Sequence, residues 1–258
     1  MSTNPYAAPR SAVADIQTPI DDGDFIPEGQ SVGIGNGWTW ITESWGLFRK
    51  APGMWIGCLI AIFAMMIVLA LIPIAGTFAM MLLYPVWGAG LMVACHALWN
   101  EEPMEFSHIF AGFKHRFGAL LALGAIGMVS GIAIAVIMAA VMGVGIGTFL
   151  GTAPPPTDMD MSRFAIAYLV ALGLSLPLYM AVWFAPALIM INDFGAIQAV
   201  KTSFMGCLKN ILPFLLYSIV FFVILVISAI PLALGLLITM PMFVASIYTA
   251  YRDIYYAA

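Results

Sequence analysis

The chain has 258 residues, of which 63% are hydrophobic and 9% are charged, and its mean hydropathy is +1.02. Soluble domains carry roughly 25% charged residues, so this composition excludes an ordinary water-soluble surface and predicts a membrane protein. The net charge of -4 comes largely from acidic residues near the N-terminus: Asp15, Asp21, Asp22, Asp24 and Glu28. The sequence therefore lacks a basic surface, and we expect no nucleic-acid partner.

Residues 1–37 differ in composition from the rest and are rich in Pro, Gly, Asp and Ala. They contain too few large apolar side chains to offset the entropy of ordering, which predicts a disordered cytoplasmic tail. They also lack the apolar core of a signal peptide, so we expect the first transmembrane helix to direct insertion. Asn4, Pro5 and Tyr6 are a candidate recognition motif for a protein partner. Residues 38–258 are predicted to form a single membrane domain.

Six apolar stretches follow this tail. A helix needs about 20 apolar residues to cross roughly 30 Å of hydrocarbon. The stretches of that length are 53–72, 77–99, 118 to 141, 164–191 and two within 211–251 that meet near Pro231. We predict an all-α polytopic membrane helical bundle, in which six transmembrane helices form three hairpins and a cytoplasmic interfacial amphipathic helix precedes each hairpin. The path of residues 142–162 is left open.

The cations favour one orientation of these helices. Lys and Arg near the ends of spans are retained on the cytoplasmic side of a membrane. With both termini cytoplasmic, only Arg163 falls on the opposite side. The cations on the cytoplasmic side are then Arg10, Arg49, Lys50, Lys114, Arg116, Lys201, Lys209 and Arg252. This bias predicts a multi-pass membrane protein with both termini cytoplasmic and an even number of spans.

A short sequence pattern occurs three times, and each copy precedes a predicted hairpin. WGLFRKAPGMW (45–55), FAGFKHRFGAL (110–120) and MGCLKNILPFL (205–215) align in their large apolar, small and cationic residues. We interpret them as markers of three internal repeats. The repeats span about 38–100, 101–192 and 193–256.

Prolines support the same division of the chain. In the second helix of each predicted hairpin, a proline is followed by an aromatic residue at the second position and by alanine at the fourth: Pro85, Pro177 and Pro241. Proline removes a backbone donor and clashes with the preceding turn of a helix. These three prolines and Pro186 are therefore predicted to kink their helices.

The segment that opens each repeat has an apolar and a polar face at helical spacing. Such segments predict interfacial helices, with aromatic residues in the acyl boundary and cations toward anionic headgroups of membrane lipids. The predicted anchors are Trp38, Trp45, Arg49, Lys50, Phe110, Phe113, Lys114, Arg116, Phe204 and Lys209. Asp193 is predicted to cap the third of these helices. In the alternative interpretation, the same apolar faces pack on the protein's own helices.

Three segments resemble a known group of proteins: NPYAAP at the N-terminus, 38–55 (WTWITESWGLFRKAPGMW) and 184–215 (FAPALIMINDFGAIQAVKTSFMGCLKNILPFL). Through them the chain resembles an uncharacterised family of bacterial six-span integral membrane proteins over about residues 37–256. It is also distantly similar to the membrane domain of glycerophosphodiester phosphodiesterases. The resemblance implies a multi-pass protein of the bacterial inner (cytoplasmic) membrane. It transfers no catalytic residue, because the catalytic domain of those enzymes has no counterpart in this sequence.

Groups suited to catalysis or metal binding are few. His96 is the ionisable residue within a predicted span, and its place near the cytoplasmic end favours a solvated histidine over a proton relay. His108 and His115, with neighbouring glutamates, have the chemistry of metal ligands, yet their spacing also suits an ordinary surface. We therefore predict no metal, no cofactor and no enzyme activity.

Two function classes remain. The first is a non-enzymatic scaffold, lipid-organising or accessory protein, and the alternative is a transporter or channel for an apolar or amphiphilic small solute. An intramembrane enzyme is disfavoured because no acid, base and nucleophile come together in the sequence.

Two further predictions concern packing. Gly127 and Gly131 predict the close approach of another helix. The cysteines are expected to be small buried hydrophobes: Cys58, Cys95 and Cys207.

Overall fold

The computed structural model describes residues 23–149, 152–154, 160–231 and 233–257. Within these ranges the regular structure is helical, and the only strand-like pairing is an isolated bridge between Phe25 and Tyr256. The fold is therefore all-α, as the sequence predicts. The candidate motif Asn4, Pro5 and Tyr6 lies outside the described residues.

The helices are numbered in chain order. They are α1 Asn36–Lys50, α2 Pro52–Ala70, α3 Ala75–Trp99, α4 Ala111–Lys114, α5 Phe117–Met142, α6 Ile146–Phe149, α7 Met161–Val182, α8 Ala185–Ile191, α9 Ala196–Lys209, α10 Ile211–Ala229 and α11 Leu236–Tyr255. A 3-10 turn, Phe106–Phe110, precedes α4. The second predicted interfacial helix is thus only this turn and one four-residue helix.

Among the described residues, five helical stretches are long and apolar enough to cross a membrane: α2, α3, α5, α7 together with α8, and α10. They indicate a membrane-embedded protein. In α2, for example, only Trp55, Cys58 and Ile62 are buried, which is the pattern of a helix facing lipid. The prediction of six spans in three hairpins is met only in this coarser form.

The sixth predicted span corresponds to α11, which is less apolar than the other five. Its second half carries Thr249, Arg252 and Asp253 among several tyrosines. That half is also largely buried, with Tyr248, Tyr251 and Tyr255 fully enclosed. Polar groups in this half find partners within the protein, as the Thr249 hydroxyl does on the carbonyl of Trp40 at 2.9 Å.

The segment before α1 is ordered against the end of α11. The backbone N–H of Ile26 donates to the carbonyl of Tyr255 at 2.8 Å, and that of Gln30 donates to the carbonyl of Ile254 at 2.8 Å. Carbonyls in the last turn of a helix have no partner within the helix, and these donors satisfy them. The predicted disorder of residues 1–37 therefore does not extend to residues 23–37.

One end of the bundle, called here the α1 end, is formed by α1, α9 and the last turn of α11. α1 packs most extensively against α11, and its side chains Trp40, Ile41, Leu47 and Phe48 are buried there. α3 packs on α5, and α5 on α7. The α1 end therefore holds the core that positions the candidate site.

The fourth predicted span is interrupted between α7 and α8. Pro186 lies in the first turn of α8, where a proline is tolerated because that N–H has no partner within the helix. The hydroxyl of Ser203 in α9 accepts from the backbone N–H of Phe184 at 3.0 Å and donates to the carbonyl of Met180 at 2.7 Å. One buried hydroxyl thus satisfies one backbone donor and one backbone acceptor at the break.

Pro85, Pro177 and Pro241 lie inside α3, α7 and α11. Each helix continues through its proline, and the kinks remain a prediction.

The close approach predicted at Gly127 and Gly131 is wrong. A side chain added at either position would meet nothing within 4 Å. The close contact on α5 lies at Gly124, where a Cβ atom would collide with the backbone of Leu82 in α3. The small-residue spacing identified the right helix but not the right turn.

Candidate functional site

A groove with a volume of about 790 Å³ opens at the α1 end. Its lining residues come from α1 and from the end of α3: Glu43, Gly46, Leu47, Arg49, Lys50, Trp99 and Glu101. Positions 43, 46, 47 and 50 recur at helical spacing, so one face of α1 presents them together. The groove therefore combines cations, carboxylates and an aromatic ring.

Lys50 connects α1 to the end of α3. Its ammonium group donates to the carbonyl of Leu98 at 2.7 Å and to the Glu101 carboxylate at 2.7 Å. Glu101 has a left-handed backbone, with φ of +59°, immediately beyond the end of α3. The Lys50 charge also lies at the negative end of the α3 dipole, where a cation is stabilising.

Arg49 differs from its neighbour. Its side chain is exposed, and within the described ranges it makes no hydrogen bond or ion pair. Lys50 is thus committed to the fold, whereas the guanidinium of Arg49 remains available at the groove.

An acidic pair lies beside the groove. The carboxylate of Asp253 accepts from Asn36 Nδ2 at 2.8 Å and from Trp40 Nε1 at 2.7 Å, which attaches α11 to α1. Burial, followed by the charge of Asp253, raises the pKa of the Glu43 carboxyl above its ordinary value. This side of the groove therefore favours a bound cation or a proton.

Aromatic rings surround Arg252 next to the groove. The guanidinium of Arg252 lies 5.3 Å from the Trp99 ring centroid and 4.1 Å from that of Tyr256. Beneath Trp99, Asn100 Nδ2 lies 3.2 Å from His96 Nε2, and His96 Nδ1 lies 2.9 Å from the Tyr248 hydroxyl. His96 therefore has protein partners on both ring nitrogens.

Arg116 makes a contact similar to that of Lys50. Its guanidinium donates to the carbonyls of Asp193 and Phe194, and its Nε lies 3.6 Å from the Asp193 carboxylate. Asp193 follows the end of α8 with φ of +58°. The predicted cap of α9 by Asp193 is not formed, because Gly195 occupies the N-cap position without a side-chain hydrogen bond and Asp193 is turned toward Arg116.

Lys209 completes the series. Its ammonium group donates to the carbonyls of Glu28 and Gly29, both at 2.9 Å, in the segment that covers the end of α11. Three of the predicted headgroup anchors, Lys50, Arg116 and Lys209, thus contact protein carbonyls.

The other predicted anchors are divided between surface and interior. Trp38 and Trp45 are 52% and 40% exposed, and Phe113 is 37% exposed. Phe110 and Phe204 are half-buried, and Lys114 is exposed. On α1 the larger part of the apolar face packs on the protein, as in the alternative interpretation, and Trp38 and Trp45 stay exposed.

Sequence reasoning missed the central acids of this site. Glu43 was assigned only to a polar helix face, and Asp253 was given no role. The available signal was an acidic residue beside Arg252 in an otherwise apolar last helix.

The three cysteines are buried, as predicted. Burial raises the pKa of the Cys207 thiol to about 12, which makes this thiol a poor nucleophile.

Comparison with known proteins gives a family but no activity. No curated protein and no solved structure matches the chain. The sequence pattern of a domain of unknown function, DUF7847, matches residues 114–252, which is more than half of the chain and lies beyond α1–α3. The chain therefore belongs to the family described as domain of unknown function DUF7847.

Proposed function

We propose that this protein is a non-enzymatic, six-span protein of the bacterial inner membrane that organises lipid or a partner complex at the cytoplasmic leaflet. This proposal rests on the position of the charged residues. Four of them line the groove at the α1 end, next to exposed tryptophans: Glu43, Arg49, Lys50 and Glu101. A surface of this kind suits contact with headgroups or with a partner protein.

Polar groups inside the bundle support a scaffold because they are used between or within helices. The Tyr217 hydroxyl and Ser246 Oγ are 2.7 Å apart, and Thr249 Oγ1 donates to the carbonyl of Trp40 at 2.9 Å. Such pairs fix helices against one another in the membrane. These hydroxyl groups therefore serve to hold the helices together.

Repeated geometry supports the six-span, threefold arrangement. Glu101 and Asp193 both follow an asparagine at the end of a helix, and both have positive φ. Each pairs with a cation at the start of its predicted hairpin: Lys50 before α2 and Arg116 before α5. Ile74 and Ala233 also share positive φ, after a proline in the turns that precede α3 and α11. On this scheme α11 is the sixth span.

Reconstitution in liposomes tests the lipid-facing version of this function. Single cysteines at Trp38 and Trp45 would be labelled from the aqueous side in vesicles of neutral lipid and in vesicles containing anionic lipid. We expect anionic lipid to protect both positions. Equal labelling in the two vesicle types would contradict contact between α1 and headgroups.

The alternative, a transporter for an apolar or amphiphilic solute, rests on a specific donor in the bundle. The indole N–H of Trp183 is buried without a hydrogen-bond partner among the described residues, at the break between α7 and α8. The rings of Phe214, Tyr217 and Phe243 surround it. Cysteine labelling along α3 from Leu82 to Cys95 tests for a water-accessible cavity, and uniform protection would remove this candidate.

A further inference from the structure

We propose that the groove at the α1 end binds the headgroup of an aminophospholipid, with its phosphate on Arg49 and its ammonium group on Glu43. This inference deepens the proposed function and rests on the membrane location assumed there. It names a headgroup that carries both charges, in contrast to a general attraction for anionic lipid.

The charge balance of the groove favours a zwitterion. Lys50 and Glu101 neutralise each other at 2.7 Å, so their charges are already paired. Arg49 and Glu43 remain, one of each sign, on the same side of α1. A ligand with a single negative charge would satisfy Arg49 and would be repelled by Glu43.

The spacing of the two groups fits such a ligand. Six residues separate Glu43 from Arg49, which corresponds to a rise of about 9 Å along a helix axis. A phosphate and an ammonium group joined by two carbons can bridge this gap when each makes its own contact. Gly46 lies between them, and its missing side chain leaves the middle of the groove open.

Two carboxylates, those of Glu43 and Asp253, lie on one side of the groove. Asp253 is held next to α1 by Asn36 and Trp40, and its charge contributes to the raised pKa of Glu43. An ammonium group beside Glu43 would relieve this repulsion.

The position of the groove favours a lipid as the source of the headgroup. Trp45 and Met54 are exposed near it, at 40% and 37%, on α1 and on the first turn of the candidate span α2. Tryptophan is typical of the interface between hydrocarbon and headgroups. A lipid lying there can place its headgroup in the groove while its chains stay beside α2.

Native mass spectrometry of the delipidated full-length protein tests this site. The detergent micelles would be doped with phosphatidylethanolamine, phosphatidylglycerol or phosphatidylcholine of identical acyl chains, and the bound fraction would be measured. We expect phosphatidylethanolamine to bind about tenfold more tightly than phosphatidylglycerol. Equal binding of these two lipids would overturn the proposal.

Substitutions separate the two contacts. Gly46→Leu fills the groove without meeting protein atoms within 4 Å of its Cβ, and should lower binding of phosphatidylethanolamine about tenfold. Gly57→Leu is the matched control, because this glycine is equally open and lies in α2.

Charge substitutions test the two polar contacts. Glu43→Gln should remove the preference for phosphatidylethanolamine over phosphatidylglycerol, whereas Arg49→Gln should weaken the binding of both lipids. Wild-type binding by Gly46→Leu would overturn the proposal.

A soluble competitor distinguishes a lipid from a free solute. Phosphoethanolamine at the concentration of the lipid should displace little of it, because it lacks the contacts of the chains. Complete displacement would overturn the assignment to a lipid. These measurements vary the groove and the headgroup amine, whereas the vesicle experiment above varies anionic lipid around α1, so failure of one leaves the other standing.

Discussion

The hydroxyl of Ser203 accepts a hydrogen bond from the backbone N–H of Phe184 at 3.0 Å, and the same hydroxyl donates to the carbonyl of Met180 at 2.7 Å. Ser203 lies in α9 and is fully buried. The contact therefore ties α9 to the break between α7 and α8. A backbone donor and acceptor inside a membrane protein need such a partner, because no water is available there.

Ser203→Ala should destabilise the protein by about 1 to 3 kcal/mol, because it leaves the Phe184 N–H and the Met180 carbonyl without their partner. The measurement is the thermal unfolding midpoint in detergent. Ser107→Ala is the control, since Ser107 is exposed and bonds only its neighbour Glu105. An unchanged midpoint for Ser203→Ala would show that the hydroxyl does not support the break.

Two glycines on α3 provide a matched pair. A side chain at Gly90 would press against the carbonyls of His108 and Ile109, at 2.6 and 2.7 Å from its Cβ, whereas one at Gly88 would meet nothing within 4 Å. Gly90→Val should cost about 1 to 3 kcal/mol or more through overpacking, since the 3-10 turn cannot then lie on α3. Gly88→Val should leave the unfolding midpoint near that of the wild type, and equal effects of the two would contradict this packing.

The raised pKa of Glu43 makes stability depend on pH. The folded protein binds a proton on the Glu43 carboxyl more tightly than the unfolded chain does. This preference stabilises the fold fully below the ordinary pKa of 4.5. The stabilisation is lost as the pH rises through the raised pKa. Glu43→Gln removes this dependence. The thermal unfolding midpoint of the variant should therefore rise relative to that of the wild type as the pH is increased. Glu102→Gln, at an exposed position, is the control. Parallel pH profiles for wild type and Glu43→Gln would refute the assignment.

Substitutions of Lys50 and Arg49 test whether only the first of these cations stabilises the fold. Lys50→Gln removes the contacts to Leu98 and Glu101 and should cost about 1 kcal/mol, a small value because the ion pair is partly exposed. Arg49→Gln should leave stability unchanged. The difference between the two unfolding midpoints should shrink at high salt. A larger loss for Arg49→Gln would reverse the roles.

Much of the helical framework was predictable from apolar length alone. The predicted stretch 77–99 corresponds to α3, which ends at Trp99, and 211–251 divides into α10 and α11 on either side of Pro231. Charged residues mark such ends because a charge is costly in the middle of a lipid-facing helix. Proline is a weaker signal, since α3, α7 and α11 each continue through one. The break at Phe184 was less accessible, since Pro186 indicated a distortion without showing that Ser203 would stabilise it.

The faces of the short helices could not be predicted in the same way. In α9 the large residues Ile197 and Leu208 are exposed, while Ala199 and Gly206 are buried. Lipid and protein interior are both apolar, so a pattern of apolar residues does not distinguish them. Small residues mark the protein-facing side, because they allow helices to approach closely.

The candidate site depended on contacts between distant parts of the sequence. Asp253 meets α1 only because α11 packs along it, and Glu101 meets Lys50 only because α3 ends beside α1. Periodicity within one segment contains no information about either pair. The repeated cations were visible in the sequence, but their carbonyl partners in other segments were not.

The position of the two termini tests the central claim most directly, namely that α11 is a sixth span. Cysteines or reporter domains placed at residue 1 and after residue 258 would be assayed for accessibility from each side of the inner membrane. Six spans predict that both termini are cytoplasmic. Five spans place them on opposite sides, and that result would contradict the threefold arrangement and the cytoplasmic assignment of the groove.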